Sequence, residues 1–135
     1  MKIKSISLTI CLMLIAVTSF SQRPETAEIK FSELEHNFGE FNEEDGVVSY
    51  NFEFTNTGKQ ALQIQRVKPS CGCTSSEYTK KPVMPGEKGI IGVQYNPKNR
   101  PGNFTKTITI YSNAATSVVI LKIKGKVNSK PLEMK

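Results

Sequence analysis

Two cysteines one residue apart, Cys71 and Cys73, are the side chains of this 135-residue chain best suited to chemistry. They sit in Ser70-Cys71-Gly72-Cys73-Thr74. A thiol pair this close can form a small disulfide, hold a soft metal ion, or pack as two small hydrophobes at the end of a β-sandwich. A disulfide needs Cα atoms about 4.4–6.8 Å apart, which residues two apart reach if Gly72 bends the backbone. Such a bond can be an inert brace or a site of thiol–disulfide exchange. Lys68 nearby, and the lack of a local acid before Glu77, favour the thiolate. Reductases, however, usually place Cys-x-x-Cys at a helix start, and no segment here has a helical period. As metal ligands the two sulfurs suit Cu(I), which soft thiolates select. Tetrahedral zinc wants four ligands, and the single histidine, His36, is distant in sequence, so zinc would need a second chain.

Other reactive side chains read more plainly. His36 has no Ser or Cys at catalytic spacing, and no hydrolase nucleophile motif, phosphate loop or zinc-protease signature occurs. The expectation is therefore a protein that is not an enzyme, with no catalytic residues and no required cofactor, Cu(I) being the one candidate ligand. Glu43-Glu44-Asp45 before Gly46 could draw calcium but reads better as a solvated loop. Lys122, Lys124 and Lys126 alternate along the last apolar segment, as lysines do when they guard a strand edge against association. An anionic glycan or lipid headgroup is the other reading of that stripe.

The compartment follows from the first residues. Lys2 and Lys4 precede an apolar run from Ile6 to Val17, and Thr18-Ser19-Phe20-Ser21 supplies small residues for a signal peptidase before Gln22. The run is shorter than the ~20 residues a membrane-spanning helix needs. A Sec-type signal cleaved after Ser21 is expected, with the product periplasmic or secreted and without stable membrane insertion. Cys11 leaves with the signal, and no lipoprotein box surrounds it. The formal net charge of +6 falls by the two units of Lys2 and Lys4, and no block of like charge remains, so nucleic acid is not an expected partner.

Beyond the signal, 22–28 reads as a polar tether, 29–128 as one domain and 129–135 as a polar tail. Phe31, Phe38 and Phe41 mark a first strand bent at Gly39. Val48, Tyr50, Phe52 and Phe54 alternate with polar residues, and Asn56-Thr57-Gly58-Lys59 closes that strand with a turn whose glycine can take positive φ. Leu62, Ile64 and Arg66 share the face of the next strand, and the cysteine pair follows at its end. After the turn-rich Val83-Met84-Pro85-Gly86-Glu87-Lys88-Gly89 come strands over Ile90–Tyr95, Phe104–Tyr111 and Val119–Val127, the last two strongly alternating. About seven short strands with regular turn signals predict an all-β, immunoglobulin-like antiparallel sandwich. With no Trp, and cysteines too close to bridge two sheets, apolar burial alone must hold it.

Val67-Lys68-Pro69-Ser70-Cys71-Gly72-Cys73-Thr74, the Pro85-Gly86-Glu87 turn before Ile90–Tyr95, Gly102-Asn103-Phe104-Thr105-Lys106, and the earlier Phe38-Gly39 and Phe52–Gly58 segments together resemble an exported bacterial family, domain of unknown function 1573. The likeness spans Ile29 to Val127. That family is similar to the immunoglobulin-like modules of hydin, ASPM and major sperm protein, whose members bind other proteins. The resemblance implies the sandwich, export and a protein-binding role, and brings no reaction or ligand. A copper chaperone of cytochrome oxidase assembly is also similar in fold and binds Cu(I) through Cys-x-Cys, but carries aromatics where this chain has Gly72 and Thr74. The expected partner is another exported or envelope protein, engaged at an exposed strand edge.

Overall fold

A computed structural model describes residues 24–132. The expected signal segment, the first two residues of the tether and the end of the tail at 133–135 lie outside the described residues. Eight strands form among the described residues: β1 (Ile29–Phe31), β2 (Glu35–Asn42), β3 (Val48–Asn56), β4 (Ile64–Pro69), β5 (Thr74–Tyr78), β6 (Lys88–Tyr95), β7 (Gly102–Ser112) and β8 (Val118–Asn128). They pack as two four-stranded sheets, ordered β1-β3-β6-β5 and β2-β8-β7-β4. This is the expected immunoglobulin-like sandwich, with two refinements. The segment read as one bent strand is two, because the chain changes sheets between Phe31 and Glu35. β2 then runs parallel to β8, so one pairing in an otherwise antiparallel fold is parallel.

Period-two alternation builds the core. Phe52 and Phe54 of β3, Ile91, Val93 and Tyr95 of β6, Ile108 and Ile110 of β7, and Leu121, Ile123 and Val127 of β8 all point between the sheets and are buried. Each fully buried side chain of this size contributes about 1.5–3 kcal/mol. Tyr95 stacks on Phe104 with ring centroids 3.9 Å apart, and its burial raises the hydroxyl above its ordinary pKa. Arg66 does not share the face of Leu62 and Ile64. A register shift between Ile64 and Arg66 turns it outward, where its guanidinium lies 4.4 Å from the ring centre of Tyr111.

The lysine stripe lies elsewhere than expected. β8 is an inner strand, flanked by β2 and β7, so Lys122, Lys124 and Lys126 guard no edge. The parallel register instead sets them beside acids of β2: Glu35 pairs with Lys124 and with Lys122 (3.7 Å), and Glu40 with Lys126 (3.3 Å). The Lys124 hydrogen bond is the main cause of a Glu35 pKa below the usual carboxylate value. Any stability this confers is present at neutral pH and lost as pH falls through the lowered pKa, and solvent exposure keeps it small.

One buried polar side chain ties three segments together. Asn56, at the end of β3, is 0% exposed. Its Nδ2 donates to the carbonyls of Gln60 (2.7 Å) and Val83 (2.9 Å), while its Oδ1 accepts from the backbone of Gly58 (2.9 Å) and Glu28 (3.4 Å). Its backbone pairs with Gly86 and Glu87. The polar segment preceding β1 is therefore no loose tether throughout. Ala27 is buried, and Thr26, Ala27 and Glu28 accept backbone hydrogen bonds from Lys59, Ala115 and Thr57. Gly58 serves this docking and not a positive φ: a β-carbon there would lie 2.7 Å from the Ala27 carbonyl carbon.

Asn56→Ala removes both donors and the acceptor from sites closed to water. It is expected to cost about 2–4 kcal/mol in urea denaturation. Asn56→Asp should cost more at neutral pH, since a carboxylate would face two carbonyls, and that loss should shrink as acid protonates it.

Candidate functional site

The cysteine pair lies where β4 leaves one sheet and β5 joins the other. Pro69 ends β4, Thr74 begins β5, and the four residues between them cross over. Both flanks are anchored by backbone: Ser70 donates to Thr107 (2.9 Å), and Asn96 donates to Cys73 (2.9 Å). The Ser70 hydroxyl also accepts from the Thr107 N–H at 3.2 Å. Thr74 N–H returns to the Cys71 carbonyl at 3.3 Å, closing a turn over Gly72. Within it Cys71 and Cys73 are joined as a disulfide, their Cα atoms 5.3 Å apart.

The two sulfurs differ in setting. Cys73 is 7% exposed and belongs to the core, whereas Cys71 is only partly buried and packs at its margin. The Thr74 hydroxyl lies 3.7 Å from the Cys71 sulfur and 3.9 Å from the Cys73 sulfur. With the sulfurs joined, that hydroxyl is the group able to donate. Gly72 adopts no positive φ, and a β-carbon on it would meet nothing within 4 Å. The bend that closes the disulfide thus does not require glycine, contrary to the expectation from sequence. As a staple the bond is weak, because closing a three-residue loop contributes only about 1.6 kcal/mol in the chain-entropy picture, against about 3 for fifteen residues.

As metal ligands, Cys71 and Cys73 would have to be reduced. Among the described residues no group of three His, Cys, Asp or Glu gathers to hold a metal ion. The pair alone fits two-coordinate Cu(I) and falls short of a zinc tetrahedron. His36 is taken up in packing, stacked on Tyr50 at 3.5 Å between centroids and edge-on to Phe38. The three acids near Gly46 diverge: Glu43 accepts from the Asn99 N–H (2.6 Å), Glu44 pairs with Lys130 (3.4 Å), and Asp45 caps the Asn42 N–H (2.8 Å).

Pro85, Gly86 and Glu87, singled out as a motif, form a structural clamp. Gly86 takes φ +80, Glu87 N–H returns to Met84 (2.9 Å), and the turn closes on both backbone groups of Asn56. Pro at the second and Gly at the third position are what a type II turn demands.

β5 itself is absent from the strands expected from sequence, being short and mostly polar. It pairs with β6 on one side and forms the sheet edge on the other. Thr79 N–H bonds to Ile90, and the Cys73 carbonyl accepts from Asn96. Alternation between these fixed points turns the backbone groups of Ser75 and Glu77 toward β6 and those of Ser76 and Tyr78 away from it. Beside the edge, on the outer face of the sheet, Ser49, Asn51, Ser75, Glu77 and Gln94 surround Gly92 in a shallow polar depression of about 240 Å³.

Gly72→Ala is expected to change stability by no more than about 0.5 kcal/mol, while Gly86→Ala should cost about 1–2 kcal/mol for its left-handed backbone. The double replacement of Cys71 and Cys73 by Ser should cost no more than about 2 kcal/mol. Urea denaturation of the three variants checks the ranking.

Comparison with known proteins agrees with this geometry. A protein of unknown function from Porphyromonas gingivalis W83 superposes with a TM-score of 0.68 at 15% identity, over 76% of this chain and 47% of its own. The ASH/PapD-like domain 7 of human CEP192 superposes at 0.61 and 8% identity, over 84% and 94%. The VesB protease of Vibrio cholerae matches at 0.58 and 17%, over 75% and 32%. The chain thus spans about half of the first protein and a third of the protease, and at such identities the likeness is one of fold. The comparison with curated proteins found no match. The family model described as "Protein of unknown function (DUF1573)" matches residues 29–127, and the chain belongs to that family.

Proposed function

We propose that this protein is an exported, non-enzymatic binding domain that takes an extended segment of another exported or envelope protein along the edge of β5. The observation that carries the reading is the state of the four sheet edges. β2 is interrupted by a bulge between Asn37 and Glu40, and β4 by a register shift between Ile64 and Arg66 and by Pro69. β1 has only three residues. β5 alone is a regular run of five with no bulge and no proline, and it turns unpaired backbone groups of Ser76 and Tyr78 outward. Natural sheets usually blunt such an edge unless something uses it. An incoming strand would gain backbone hydrogen bonds there, and its outward side chains would lie beside the polar depression around Gly92. Export rests on the Lys2–Ser21 pattern, and the non-enzymatic reading on a sequence without a hydrolase nucleophile motif, phosphate loop or zinc-protease signature.

Ser76→Pro tests the reading, because it deletes an N–H that β6 does not use. The full chain used as bait on an envelope extract is expected to recover a partner that Ser76→Pro loses and Ser76→Ala keeps, with circular dichroism unchanged. Recovery of the same proteins by the proline variant, or of none by the unaltered chain, would overturn it.

A further inference from the structure

We infer that the Cys71–Cys73 disulfide is a thiol–disulfide exchange site for a dithiol, with Cys71 the sulfur attacked and Cys73 the sulfur that leaves. This activity is separate from docking at β5, although the site adjoins the start of that strand. Three observations support it. The pair is asymmetric, since Cys71 lies at the margin of the core and Cys73 within it, so an incoming thiolate reaches Cys71. The intervening Gly72 is exposed, adds no side chain and has open space where one would project, which leaves the approach clear. The Thr74 hydroxyl is within hydrogen-bonding reach of both sulfurs and can donate to whichever carries negative charge.

The rest of the crossover tolerates the change. Backbone hydrogen bonds from Ser70 to Thr107 and from Asn96 to Cys73 hold both ends of the turn without the sulfur bridge. The bond can therefore open without unfolding the domain.

In the first step a thiolate of the dithiol forms a bond to the Cys71 sulfur as the Cys71–Cys73 bond breaks. The electron pair passes to the Cys73 sulfur, which receives the Thr74 hydrogen bond and then a proton. The second thiol of the reductant, deprotonated, attacks its partner sulfur in the mixed disulfide and expels Cys71 as thiolate, which is protonated in turn. Two electrons and two protons move from the dithiol to the cysteine pair, and the dithiol becomes a cyclic disulfide.

The test uses the full chain and dithiothreitol as the dithiol. Native protein should lose its disulfide without urea, read as alkylation of both Cys71 and Cys73, located by mass spectrometry separately from Cys11. Cys73→Ser should form a mixed disulfide with oxidised glutathione and react with iodoacetamide at least about tenfold faster than Cys71→Ser, each in the folded state. Thr74→Val should slow opening several-fold while leaving circular dichroism unchanged. A disulfide that opens only in denaturant, or equal labelling of the two single variants, would overturn the assignment.

Discussion

The sandwich depends on the burial of a single amide. Asn56 ends β3 inside the protein, where no water can replace a lost partner, so every group around its side chain must be met by protein. It meets the Gln60 and Val83 carbonyls and the Gly58 and Glu28 amides, while its own backbone closes on the Pro85–Glu87 turn. The start of the folded chain, the β3–β4 connection and the approach to β6 are thus fastened at one point. An apolar residue would fill the space and fix none of these paths. The clamp also brings Val83 opposite Leu62, whose mutual backbone bonds at 2.8 Å hold the segment that returns from β5 to β6.

With that end secured, the far side of the domain carries the two features on which the proposed roles rest. The crossover from β4 to β5 carries the disulfide, and β5 carries an edge without bulge or proline. They are consecutive in the chain: the carbonyl of Cys73 makes the first bond of the β5–β6 ladder, to Asn96. The bridge closes too small a loop to stabilise the fold much.

The strands whose inner residues are apolar were legible from sequence, because burial on one face writes itself as alternation. Phe104, Ile108 and Ile110 in β7, and Leu121, Ile123 and Val127 in β8, are cases in point. Other features left no such mark. Thr74-Ser75-Ser76-Glu77-Tyr78 is an edge strand with little apolar content, and only the need for a partner to β6 reveals it. The parallel pairing of β2 with β8 depends on where the chain changes sheets, and with it the inner position of Lys122, Lys124 and Lys126. Asn56 looked like a turn residue, since hydrogen bonds to distant carbonyls are invisible to local pattern. The cysteine spacing singled out the pair and left the disulfide as one of its readings, while the unequal burial of the two sulfurs and the neighbouring Thr74 hydroxyl needed three dimensions.

Docking of a partner along the proposed β5 edge is read out by backbone amide hydrogen exchange. In the chain alone, Ser76 and Tyr78 should exchange rapidly while Ser75 and Glu77, bonded to β6, stay protected. Added partner should protect Ser76 and Tyr78. Protection appearing instead on the opposite sheet, around the exposed Val118 and Ile120 of β8, with β5 unchanged, would contradict it.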